Sequence, residues 1–175
     1  MKKDFLHTKI KTLEIIASQK NLLKKIREAL SLIKKTDIKE YDRLFSRLNT
    51  IFITNKNGYA NEFFMPEKIW FANKSVILKN DINWLASLIV HESFHATQFK
   101  NGKYTIPLNK LEKPALKLQA EFLEKLEGKK SKKDIDRVSK EKYWNKMSKD
   151  KNSFAYFRNL LNLYENRKLD LKSKK

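Results

Sequence analysis

One stretch limits the possible fold more than any other. From Ile82 to about Lys100 the sequence predicts a helix, with Asp81 as its N-cap and Asn101-Gly102 as its stop. Ile82, Trp84, Leu85, Leu88, Ile89, Val90 and Phe94 cover most of its circumference. A surface helix shows one apolar stripe, whereas a helix apolar nearly all round is buried. The rest of the chain must therefore wrap around this segment. The same helix carries His91-Glu92-Ser93-Phe94-His95, an H-E-x-x-H pattern holding two of the three histidines of the chain. Residues four apart share one helix face, so two imidazoles can address one ion. Glu92 stands about 100° round from His91, at the edge of such a site, where it can reach a metal-bound water without being a ligand. Burial favours the uncharged imidazole, which is the form that binds metal. The pattern predicts a Zn2+ centre of the hydrolytic kind, with His91 and His95 as ligands and Glu92 as general base. The plainer reading, two buried histidines beside a chance glutamate, is disfavoured in a chain so poor in histidine.

A catalytic zinc keeps three protein ligands and an open position. The chain has no cysteine, and no histidine follows His95. His7 reads as a surface residue in a first helical turn or a frayed end. A carboxylate is thus expected as the third ligand. A second helix is predicted from Leu111 to Leu126, with Gly128 as its stop. Its apolar stripe is Leu111, Ala115, Leu118, Phe122 and Leu126. Glu112 lies beside that stripe, near Ala115 and Gln119; Glu121 lies further off on the other flank, and Glu124 is nearly opposite. The wheel favours Glu112, with Glu121 as the alternative. Pro114 suits a helix only in its first turn and draws Lys113 away from helical geometry, which places Glu112 at the helix start.

The remaining chain supplies the wrapping. Residues 1–48 read as N-terminal helices, with Leu13, Ile16, Leu23, Ile26, Leu30 and Ile33 recurring at threes, fours and sevens. Asp37 caps a further helix carrying Ile38, Tyr41, Leu44, Phe45 and Leu48. Residues 49–80 read as a small sheet. Thr50 to Thr54 is β-branched and aromatic, Asn57-Gly58 is a hairpin signal, and Tyr59 to Phe64 is the expected return strand. Ile69 to Ala72 and Val76 to Leu78 read as a second hairpin or a bent strand. Residues 81–128 hold the two site helices, and 129–175 form a basic helical extension. The expected architecture is a single α+β domain over 1–175, mainly helical, with a sheet of about three or four strands packed on the active-site helix.

Composition narrows the partners. The net charge is +19, carried by 39 Lys and Arg against 20 Asp and Glu. The lysines fall on nearly every segment, without the arginine and aromatic interleaving of a base-reading surface, so non-specific contact with polyanions is the expectation. Absence of cysteine excludes disulfides and suits a cytoplasmic location. The start shows no signal-peptide pattern, and no apolar run reaches the roughly 20 residues of a membrane span.

The stretch Trp84 to Gln98 resembles zinc metallopeptidases of the zincin group. Glu112-Lys113-Pro114-Ala115, which begins seventeen residues beyond His95, is similar to the E-x-x-A helix of the gluzincin branch. The resemblance covers about residues 50 to 127. It implies a zincin-like fold, zinc ligands His91, His95 and Glu112, Glu92 as general base, and a peptide or protein substrate aligned along a sheet edge. Ile69 to Ala72 or Ser75 to Leu78 would be that edge. The chain lacks the large C-terminal helical subdomain of the biggest gluzincins and any histidine of the metzincin extension. The expected function is a zinc metallopeptidase in which Glu92 activates the zinc-bound water. Two alternatives stand beside it: a zincin-like protein that is latent or non-catalytic, and a basic nucleic-acid-associated binding protein.

Overall fold

A computed structural model describes residues 5–54, 62–64, 67–98, 108–128 and 136. These all lie within one compact unit. The Asn57-Gly58 turn, the Asn101-Gly102 stop and nearly all of the 129–175 extension fall outside them. The fold is α+β. In chain order come β1 (Leu6–Ile10), β2 (Leu13–Ala17), α1 (Lys20–Thr36), α2 (Ile38–Arg47), β3 (Thr50–Thr54), β4 (Glu62–Phe64), β5 (Ile69–Asn73), α3 (Lys74–Lys79), α4 (Ile82–Gln98) and α5 (Leu108–Glu127).

The N-terminal helices expected over 1–48 do not include residues 6–17. Residues 6–17 form a β-hairpin, with Leu6 opposite Ala17 and Ile10 opposite Leu13. Leu13, Ile15, Ile16 and Ala17 are all buried, so β2 presents apolar groups to both faces. Such a run matches a helical period as readily as a strand. Its turn at Lys11-Thr12 holds no glycine or asparagine; Lys11 itself takes a positive φ of 52°. The helical reading holds from Lys20 onward, and His7 is exposed on a strand rather than in a helical turn.

Among the described residues the sheet has five strands in the order β1-β2-β3-β5-β4, one or two more than expected. The extra pair is the unforeseen hairpin. β2, β3 and β5 run parallel, while β1 and β4 are antiparallel to their neighbours. The expected hairpin between Thr50–Thr54 and the strand that follows does not form, because β5 lies between β3 and β4. Every residue of β3 and β5 is buried, as strands covered on both faces must be. Ile69 to Ala72 is therefore an interior strand, not a substrate-aligning edge. Ser75 to Leu78 is not a strand at all. Asn73 accepts hydrogen bonds from the Ser75 amide and hydroxyl, both at 2.8 Å, and starts the short helix α3.

On one face of the sheet, Ile15, Ala17, Ile51, Ile53, Trp70 and Ala72 join Leu22, Ile26, Leu30 and Ile33 of α1 and Leu85, Ile89 and Val90 of α4 in one core. On the other face Phe52 stacks on Phe5 at 5.5 Å and meets Phe71 edge-on at 5.9 Å. α4 touches α1, α2, α5 and β4, and it has no exposed residue. The buried central helix is thus observed. Its N-cap is Asp81, which accepts from the Trp84 amide at 2.8 Å. No helix among the described residues is long and apolar enough to cross a membrane.

Candidate metal centre

α4 could not stay buried unless its polar side chains found partners. The hydroxyls of Ser87, Ser93 and Thr97 each donate to a carbonyl one turn back, at Trp84, Val90 and Phe94, over 2.7–2.9 Å. The other buried polar groups of the helix are His91, Glu92 and His95. His91 and His95, one turn apart, are 1% and 7% exposed. Their Nε2 atoms stand 3.3 Å from each other.

The third group arrives on α5, where the helix begins a turn earlier than its sequence predicts. It starts at Leu108, so Glu112 is its fifth residue and Pro114 its seventh. Pro114 lacks the N–H that the Lys110 carbonyl would receive, and the helix runs through it. Glu112 is consequently held on a formed helix, 7% exposed, rather than at a frayed start. Its Oε2 lies 3.2 Å from His91 Nε2 and its Oε1 lies 3.6 Å from His95 Nε2. Glu121 is on the solvent side, paired with Lys117 at 3.8 Å. Glu112, not Glu121, is the carboxylate brought to the histidines. Glu92 is buried as well, at 4% exposure.

The three ligand atoms all lie within 4.8 Å of one another and could hold a metal ion. A four-coordinate ion with bonds of about 2.0–2.1 Å places neighbouring tetrahedral ligands about 3.3–3.4 Å apart. The 3.3 Å between the two imidazole nitrogens matches that spacing, and the carboxylate turns one oxygen to each histidine, at 3.2 and 3.6 Å. Two imidazoles and a carboxylate suit zinc better than the harder Mg2+ or Ca2+, which take oxygen ligands. The proton state fits too. Burial lowers the His95 pKa, and the nearby His91 lowers it further, against opposing pulls from Glu112 and Gln98. Neutral His95 has one N–H to place. Gln98 Oε1 lies 2.8 Å from Nδ1; accepting there, it leaves the Nε2 lone pair facing His91 and Glu112.

Three residues that the sequence did not single out as site groups shape this centre. Gln98 orients His95. Ser87 and Gln119 join α4 to α5 below it, through a 3.1 Å hydrogen bond from Gln119 Nε2 to Ser87 Oγ. The available signal was positional: Gln98 is three residues after His95, and Gln119 is seven after Glu112, each on the ligand's own face. No protein-family model, curated protein or solved structure matches this chain.

Proposed function

We propose that the chain is a zinc-dependent metallopeptidase of gluzincin-like type, with His91, His95 and Glu112 holding Zn2+ and Glu92 acting as general base. The observation that carries this is the convergence of two buried imidazoles and a buried carboxylate from two separate helices, one of them the H-E-x-x-H helix, with ligand atoms within 4.8 Å of one another. Zinc bound there would supply Lewis acidity and bring the ionisation of a water towards neutral pH. The chain's own residues do the rest. His91 and His95 present nitrogen lone pairs, and Glu112 offsets positive charge. Glu92 takes a proton from the attacking water and returns it to the leaving amine as the peptide bond breaks. The edge strand β4, which runs beside α4, is the place for an extended peptide to pair.

Peptide cleavage should be lost on chelation and restored by zinc. Glu92→Gln should cut kcat by at least about 100-fold while the protein keeps one zinc per chain by metal analysis. Cleavage that survives Glu92→Gln overturns the role of Glu92, and a protein that takes up no metal overturns the whole reading. The burial of His91, Glu92, His95 and Glu112 together favours one second reading, a zincin-like protein that is latent or uses zinc only for structure. Full zinc occupancy with no cleavage of any peptide in a broad library would support it.

A further inference from the structure

We infer that the buried Ser87–Gln119 hydrogen bond sets the axial register of α5 on α4 and so delivers Glu112 to the two histidines. Its consequence for metal binding rests on the metal reading above; the register claim does not.

The two helices run antiparallel. Asn83 is bonded to Glu127, Ser87 to Gln119, and His91 and His95 face Glu112, so rising numbers on α4 meet falling numbers on α5. α5 buries Ala115, Leu116, Phe122 and Leu123, and Phe122 joins Leu85, Ala86, Ile89 and Val90 of α4 in the apolar core. Apolar burial is non-directional. Two helices packed by ridges and grooves have alternative seatings one turn, about 5.4 Å, apart. A slip of one turn would offer Leu108 or Leu116 where Glu112 now stands, and neither can be a ligand. Something directional must choose the seating.

Gln119 and Ser87 can do so. They are 1% and 0% exposed, so water cannot replace either partner. The Ser87 hydroxyl spends its single proton on the Trp84 carbonyl at 2.7 Å. Its oxygen is then a pure acceptor aimed at α5, and the Gln119 amide donates to it. A slipped helix would leave that amide buried against apolar neighbours, which is costly. The bond sits close to the centre it governs. Gln119 is seven residues from Glu112, about 10.5 Å along α5, and Ser87 is six residues before the midpoint of the histidines, about 9 Å along α4. The Asn83–Glu127 pair at the far end is only partly buried and is open to exchange with water. Buried polar pairs that fix register within an apolar interface are the best-attested use of such groups.

The test removes both polar partners at once. Ser87→Ala with Gln119→Leu leaves no stranded group, so the melting temperature should stay within a few degrees or rise. Gln119→Met, closer in shape, is the second variant should the first fail to fold. The chain has no cysteine, so spin labels at Lys24→Cys and Lys117→Cys, both highly exposed positions, are the only ones present. Electron-electron distance measurements should give one narrow distance with Ser87 and Gln119 intact. In the variants they should give a broadened or split distribution displaced by up to about 5 Å. In parallel, Co2+ titration should show affinity falling ten- to hundredfold, with altered d–d bands. A single unshifted distance together with native Co2+ affinity in the variants overturns the inference. If the unmodified protein takes up no Co2+, the metal reading fails, and the distance measurement alone decides the register claim.

Discussion

Glu40 is a glutamate on a short amphipathic helix, yet only 3% of it is exposed. Its carboxylate is held by Arg47, through a close contact, and by Arg43 at 3.4 Å. The two arginines are not equivalent. Arg47 is 13% exposed and its guanidinium lies 5.8 Å from the ring of Phe94, within the histidine motif; Arg43 is 60% exposed. Removing Arg47 leaves a buried carboxylate with only a solvated partner, and Arg47→Ala should cost about 3 kcal/mol. Arg43→Ala should cost less than about 1 kcal/mol. Urea unfolding of the two variants measures the difference, and equal losses would show that Glu40 is not effectively desolvated. Nothing local marks Glu40 as buried, because its helix meets α4 only in the folded chain. Asp37 and Asp81, by contrast, were legible as caps, since a cap bonds to an amide three residues away.

Among the elements, α5 departs most instructively from its local signals. Pro114 argues for a helix starting near Leu111, but the helix begins a turn earlier, at Leu108. An interior proline sits about 3 kcal/mol below alanine in helix propensity, and Pro114 is exposed. Pro114→Ala should therefore raise stability, by about 1–2 kcal/mol after unfolded-state compensation, without moving Glu112; thermal melting reads this directly. The far end of α5 is tied by Lys125 to Asp37 at 2.6 Å. Burial opposes the Asp37 carboxylate, but Lys125 and the Glu40 and Lys39 amides outweigh it and hold its pKa below the ordinary value. A carboxyl lowered on folding contributes stability that is whole above its unfolded pKa, about 4, and is lost as pH falls through the folded value. Asp37→Asn still caps α2. It should lose about 0.5 kcal/mol at pH 7 and show a shallower fall in stability below pH 4. An unchanged acid profile would remove the pair from the account.

At the scale of the whole molecule, charge outweighs individual pairs. Against a net charge of +19, several of the ion pairs are exposed on both sides, such as Lys11–Asp42, Lys24–Glu28 and Lys117–Glu121, and each is worth little. Screening should then relieve more repulsion than it removes attraction. Raising NaCl from 50 to 500 mM should stabilise the protein by about 1 kcal/mol, a rise of roughly 3 °C in Tm; a fall would mean that the pairs dominate.

What the sequence determined by itself was whatever depends on near neighbours in the chain. The caps at Asp37 and Asp81, the stop at Gly128 with its φ of +59°, the all-round apolar α4 and the i, i+4 histidines are all of this kind, because helix geometry converts spacing into direction without help. The apolar runs told less. Leu13 to Ala17 is equally good as helix or strand until it pairs with β1 and β3, and Val76 to Leu78 is equally good as strand until Asn73 caps it into α3. Strand order and the interior place of β5 were decided by which surfaces could be buried together. The same is true of the centre itself. Spacing placed two histidines on one face, but only the seating of α5 on α4 put Glu112 within 3.2 Å of His91 and 3.6 Å of His95, since no local rule sets the distance between groups that meet from separate helices.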